Sequence, residues 1–261
     1  MEENNLSTKR VLITMAVQSR GDWNEICRRI HHRLLPTDDE VEEVLNNLKC
    51  QVITYFDKEY PEELKKVEKA PFVLFYEGDI SLISKPSNIL AVVGTREPTD
   101  FGIEVTKNII KDLNKDIVII SGLALGIDAI AHEEAIKNGL KTVAVLGSGV
   151  NVCYPLTNKS IYRKIKKDHL IISEYPFDTQ PVPENFPLRN RIIAGLAKCV
   201  LVTEAKRRSG TTITIGYALD ASREVLCVPS SNLNDSACNL CIKDGGFLVE
   251  NADDVNAFYR Y

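Results

Sequence analysis

No stretch of this 261-residue chain is apolar for long enough to cross a membrane. The first residues, Met1-Glu2-Glu3-Asn4-Asn5, lack the basic and apolar parts of a secretory leader. The expected location is therefore cytoplasmic, with no membrane partner. Internal repeats and low-complexity segments are also missing, which removes repeat arrays and long disorder from consideration. A disulfide framework is not supported, because the seven cysteines are odd in number and scattered through a long chain. One C-x-x-C occurs, at Cys238 and Cys241, with no second pair and with His31, His32, His132 and His169 all distant in sequence. A structural zinc site needs four ligands, so no metal is expected. The thiols read instead as small apolar residues on one helix face. There is no P-loop, no G-x-G-x-x-G spacing and no other signature of a bound cofactor. Nor is there a global basic surplus: the net charge is −4, whereas nucleic-acid binders usually carry excess cations.

The charge is nevertheless uneven. Between Asn185 and Gly210 the cations are Arg189, Arg191, Lys198, Lys206, Arg207 and Arg208, against Glu204 alone. Screening limits the reach of distant charge to about 8–10 Å, so a local patch can bind a polyanion on an acidic molecule. The opposite imbalance, Asp38, Asp39, Glu40, Glu42 and Glu43, follows Thr37. Thr37 with Glu40 three residues on is a helix cap, and the acidic run reads as a solvated helix start.

Five strand-like runs each end in a small or basic cluster. Ile89–Val93 leads into Gly94-Thr95-Arg96, Ile117–Ile120 into Ser121-Gly122-Leu123-Ala124-Leu125-Gly126, and Thr142–Leu146 into Gly147-Ser148-Gly149. Leu170–Ile172 leads into Ser173-Glu174-Tyr175-Pro176, and Val200–Thr203 into a segment closing with Ser209-Gly210-Thr211. In a parallel sheet all such ends share one edge, where ligands bind and helix N-termini offer free N–H groups to anions. Helical patterns near 101–113, 127–137, 159–167 and 211–221 alternate with these strands, which argues for a mostly parallel sheet flanked by helices. Residues 51–56, 71–76, 224–228 and 247–249 read as further strands, and 253–261 as one terminal helix. From Ser7 to about Lys49 the apolar spacing is helical. The expected organisation is a small N-terminal helical module over 1–65 and an extended Rossmann-like α/β domain over 66–261, with no C-terminal winged-helix domain.

Each cluster has a functional and a structural reading. Arg96 follows a strand-end glycine, where its planar fork suits phosphate oxygens. Ser121–Asp128 is either a backbone cradle for phosphate, organised by Asp128, or an ordinary tight turn and cap. Asp128 and His132 share a helix face, which fits a surface ion pair or cap better than catalysis. Tyr154, after Gly147-Ser148-Gly149, either stacks on a base or wedges its own loop. In Phe186-Pro187-Leu188-Arg189-Asn190-Arg191, two arginines stand at a helix start, against the macrodipole, and a nearby anion would relieve that cost.

These blocks, in order over roughly 51–249, resemble the DNA-processing protein A family, DprA/Smf: Val92–Arg96, Ser121–Asp128, Leu146–Gly149 with Tyr154-Pro155 and Asn158, Ser173–Pro176, Phe186–Leu196, and Val202–Ala205 with Ser209–Thr211. The resemblance implies single-stranded DNA bound at the strand ends, loading of a RecA-type recombinase in natural transformation, and a homodimer formed through the C-terminal part. It implies no catalysis. It implies phosphate contacts from Arg96, Arg189 and Arg191; with the strand-end loops and their neighbours the expected DNA- or phosphate-binding residues are Gly94, Thr95, Arg96, Ser121, Gly122, Gly126, Gly147, Ser148, Gly149, Tyr154, Phe186, Arg189, Asn190, Arg191, Ser209, Gly210 and Thr211. Lys141, Arg163 and Lys206 are added on position and charge. The chain departs from the family pattern at Pro229-Ser230, where Pro-Gly is usual, and at Cys241, where leucine is usual. The alternative is a nucleotide-binding or nucleotide-hydrolysing Rossmann protein of the related LOG-like class. There Thr214 stands where the hydrolytic acid belongs, leaving Glu174 and Glu204 as substitutes.

Overall fold

The computed structural model describes residues 2–260. Three helices open the chain: α1 (Glu2–Gln18), α2 (Trp23–His31) and α3 (Asp38–Asn46). The acidic start of α3 is a capping box, in which Thr37 accepts from the Glu40 N–H and Glu40 reaches back to the Thr37 backbone. There follow β1 (Gln51–Thr54), α4 (Glu62–Lys65), β2 (Val73–Gly78), β3 (Ile89–Val93), α5 (Asp100–Lys111), β4 (Val118–Ser121), α6 (Ile127–Lys137) and β5 (Lys141–Leu146). The chain then forms α7 (Lys159–Asp168), β6 (Leu170–Ser173), α8 (Asn185–Leu196), β7 (Cys199–Val202), α9 (Gly210–Asp220), β8 (Glu224–Cys227), α10 (Ala237–Lys243), β9 (Phe247–Leu248) and α11 (Ala252–Asn256).

All nine strands form one sheet in the order β1-β2-β6-β5-β4-β3-β7-β8-β9. From β6 to β9 every pairing is parallel, and β2 joins β6 and β1 antiparallel. Side chains of β3 alternate between the faces, with Ala91 and Val93 packing toward α8 and α9 and Leu90 and Val92 toward α5 and α6. Being covered on both sides, β3, β6 and β7 are buried at every position. The α/β expectation therefore holds.

A third cluster joins Leu12, Met15 and Ala16 of α1 and Ile26 of α2 to Val73 and Phe75 of β2 and Ile161 of α7. Strand β1 lies before the expected division at 65/66, yet it is hydrogen-bonded into the sheet through β2. Local pattern identifies such a strand without revealing its partner. The expected single C-terminal helix is shorter, as α11 gives way to one 3₁₀ turn, Ala257–Tyr259. Met1 and Tyr261, the outer ends of the two expected divisions, lie outside the described residues.

Candidate functional site

After β3 the chain runs outward through β4, β5 and β6, then returns to place β7 on the other side of β3. Such a reversal opens a crevice beyond the strand carboxyl ends. Gly94-Thr95-Arg96 leaves β3 at this point and is held by its backbone. The Thr95 N–H donates to the Glu204 carbonyl at 2.7 Å, and the Thr95 carbonyl accepts from the Ile127 N–H at 3.1 Å. Thr211 Oγ1 donates to the Gly94 carbonyl at 2.9 Å. A Cβ on Gly94 would stand 2.5 Å from the Ile127 side chain, so only glycine lets the loop come this close. The Arg96 side chain is exposed and forms no salt bridge among the described residues.

Arg96 lines a cavity of about 340 Å³ walled by residues 93–97, the first turns of α8 and α9, Ala124 and Asp128. Phe186, Arg189 and Asn190 come from α8, and Gly210 and Thr211 from α9, whose cap residue Ser209 makes no side-chain cap bond. An uncapped helix start facing a cavity favours an anion. A smaller recess of about 60 Å³ shares Arg96, Ala124, Phe186 and Arg189 and adds Gly122, Leu125, Tyr154 and Pro155. Tyr154 is half exposed, and its ring lies 5.5 Å from that of Phe186, tilted by 37°. Cation, open amides and aromatic faces thus share one concavity.

Arg189 forms the floor. It is only 3 % exposed, and its Nη1 donates to the carbonyls of Gly122, at 2.6 Å, and Val145. Burial and then the neighbouring Arg96 lower its pKa to about 10, against the pull of Asp128. Asp128 accepts from the N–H groups of Gly122 (3.1 Å) and Ala124 (3.3 Å), so it shapes the Ser121–Asp128 turn. Its pKa is raised by burial, which Arg189 partly offsets. Asn158 Nδ2 holds the same turn through the Leu123 and Ala124 carbonyls, each at 3.0 Å. Of the surface ion pair or cap expected for Asp128 and His132, the surface pair does not form, since both are buried, while Asp128 does hold the N–H groups of its turn. His132 Nδ1 lies 2.7 Å from Thr142 Oγ1, which itself donates to the Ile119 carbonyl, so the imidazole must donate there. Burial lowers the His132 pKa to about 3.

The cavity and recess together gather Gly94, Thr95, Arg96, Gly122, Tyr154, Phe186, Arg189, Asn190, Ser209, Gly210 and Thr211. Arg191 is not among them. Both Arg191 Nη2 contacts, at 2.7 Å, go to the Glu174 carboxylate, and Nε donates to the Lys69 carbonyl. The pair is 3 % and 6 % exposed by side chain and borders a different cavity of about 810 Å³, beside Trp23. The anion that relieves this arginine is internal. Lys141 begins β5, so it stands at the opposite end of the strand from the cavity. Ser121 and Ser148 are buried and bonded to the carbonyls of Val92 and Val152. Gly126, at φ +74°, turns the chain against Thr95 and Arg96, Gly147 lies under the Phe186 ring, and Gly149 abuts the Pro176 carbonyl. These five shape the edge without lining it. Lys206 is exposed in the β7–α9 loop, and Arg163 lies on α7, neither in the wall. Glu97, Leu125 and Ile193 do line it and were not foreseen. Glu97 directly follows Arg96, so adjacency was the available signal.

The sequence model described as "DNA recombination-mediator protein A" matches residues 51–260. The DNA processing protein DprA of Streptococcus pneumoniae is 43 % identical over 204 residues, 77 % of this chain and 72 % of that protein. The DprA of Bacillus subtilis is 39 % identical over 201 residues, 76 % of this chain and 67 % of the relative. Among solved structures, DprA of Streptococcus pneumoniae superposes with a TM-score of 0.81 at 34 % identity, covering 100 % of this chain and 98 % of that one. DNA processing protein A of Helicobacter pylori, described for its single-stranded DNA binding mode, gives a TM-score of 0.72 at 27 % identity, over 81 % and 95 % of the two chains.

Proposed function

This chain belongs to the DNA recombination-mediator protein A family, and on that premise we propose that it grips single-stranded DNA in the cavity at the ends of β3 and β7. One observation carries the reading. Arg96 is exposed, lacks a carboxylate partner among the described residues, and lies close enough to buried Arg189 to lower its pKa. Asp128 offsets only Arg189, which leaves Arg96 without a carboxylate of its own at the cavity, and a phosphate beside the Phe186 and Tyr154 rings suits a nucleotide chain. The contacts are backbone amides, guanidinium and ring faces, so binding tolerates any base sequence.

The role is non-catalytic. Glu174 is engaged by Arg191, and Glu204 Oε2 accepts from the Thr99 N–H at 2.9 Å, so both substitutes for the hydrolytic acid are occupied. That disfavours the LOG-like alternative. Loading of a RecA-type recombinase and self-association through the C-terminal part complete the proposal. Leu219, Leu240, Phe247 and Leu248 are exposed on α9, α10 and edge strand β9, an apolar surface suited to a second copy.

The test is binding of labelled oligo-dT by the native chain and by Arg96→Ala at two salt concentrations. The variant should lose at least about tenfold in affinity, the share of one charge-assisted hydrogen bond worth about 1.5–3 kcal/mol. Equal affinity would overturn the reading, and nucleoside monophosphate turnover would favour the alternative.

A further inference from the structure

We propose that α7 carries the bound strand away from the cavity, its exposed cations forming a phosphate track down the side of the sheet. The proposal rests on the cavity as the first binding point and assigns the direction in which the strand leaves it.

Three observations converge. The first is charge: α7 reads Lys-Ser-Ile-Tyr-Arg-Lys-Ile-Lys-Lys-Asp, with Asp168, at its end, as the lone carboxylate. Lys166 is tied to Glu77 at 3.1 Å, but Lys159, Arg163, Lys164 and Lys167 are exposed and form no salt bridge among the described residues. The second is register. Ile161, Tyr162 and Ile165 face the core, which turns Lys159, Arg163 and Lys167 outward as one row spaced four residues apart. Each step advances about 6 Å along the helix, one cation per nucleotide of an extended strand. The third is placement. Tyr154 and Pro155, in the recess beside Arg96, lead through Asn158 into α7, and Asn158 is bonded to the turn that forms the recess. At the other end Lys141 Nζ donates to the Asp168 carbonyl at 3.2 Å, adding a cation at the foot of the helix. Lys141 and Arg163, out of reach of the cavity wall, thus find places on a path that begins there.

The experiment compares oligo-dT of about 6 and about 20 nucleotides, lengths within and beyond one groove's span. The native chain and a triple variant, Lys159→Gln, Arg163→Gln and Lys167→Gln, are each titrated with both across a salt series. The short oligonucleotide should bind both proteins alike. The long one should bind the variant at least tenfold more weakly, and its log K against log salt slope should shrink by about 2, from three lost phosphate contacts at roughly 0.7 each. Arg163→Gln alone should shrink the slope by about 0.7, which serves if the triple variant folds poorly. An unchanged long-oligonucleotide affinity and slope would overturn the track, as would equal losses for both lengths. Failure of the native chain to bind the short oligonucleotide would instead overturn the cavity reading itself.

Discussion

A Cβ on Gly122 would stand 2.4 Å from Nη2 of Arg189, so the bare glycine and the guanidinium share one space at the cavity floor. The guanidinium cannot simply swing away, because its Nη1 is committed to the Gly122 and Val145 carbonyls inside a buried pocket. Gly122→Ala should therefore destabilise the fold by about 1–3 kcal/mol, as overpacking does, and displace the cation from the floor. Chemical denaturation together with oligo-dT affinity checks both parts. A variant as stable and as tightly binding as the native chain would refute this account of the floor.

Arg191→Ala should behave differently. It leaves Glu174 buried without a partner, a loss of about 3–5 kcal/mol. Replacing both residues with apolar ones, Arg191→Met and Glu174→Leu, should restore much of that stability, since neither charge is then stranded. Folded protein of either variant should bind oligo-dT close to the native affinity, because Arg191 lies outside the cavity wall. Urea denaturation curves measure the stability, and titration below the unfolding midpoint measures the binding.

Tyr154→Ala probes the ring at the rim. The side chain is half exposed and packs on Phe186. Its removal should leave the melting temperature nearly unchanged and weaken oligonucleotide binding by about 1–3 kcal/mol, the worth of one stacked base. Fluorescence anisotropy with oligo-dT reads the loss, and Tyr154→Phe should retain most of the affinity.

Acid should destabilise the protein through its buried imidazoles. The His132 pKa is lowered from the ordinary 6.5 to about 3, and that of His169 is lowered as well, both mainly by burial. Between about pH 6.5 and 3 the unfolded chain binds a proton at His132 that the native state refuses, so stability falls as pH falls, by up to about 1.4 kcal/mol per unit. Asp128 and Glu174, raised by burial, act with the opposite sign and soften the loss. His132→Leu isolates the first effect. Its stability should fall less steeply than that of the native chain between pH 6.5 and 4.5 in parallel denaturation series.

Much of the fold was legible because it follows local rules. The helix at 127–137 has the bounds the pattern implied, and the capping box of α3 could be read from Thr37 and Glu40 alone. Strand β1 was legible as a strand, but its place on the sheet edge was not, since antiparallel pairing with β2 depends on contacts distant in sequence. The site divides similarly. Gly94, Arg96, Phe186 and Gly210 reach the cavity because a parallel sheet sends every strand end to one side.

The sequence by itself determined that small residues and cations would meet along that edge, because strand direction and loop composition are written residue by residue. Only the tertiary structure decided which cations stay free. Arg189, Arg191 and Arg96 look alike in the chain, yet the first was drawn under the floor by two carbonyls and the second was neutralised by Glu174. Arg96 alone of the three was left facing water. The physical reason is that a buried guanidinium must be satisfied by whichever acceptors lie nearest in space, and sequence distance says nothing about those.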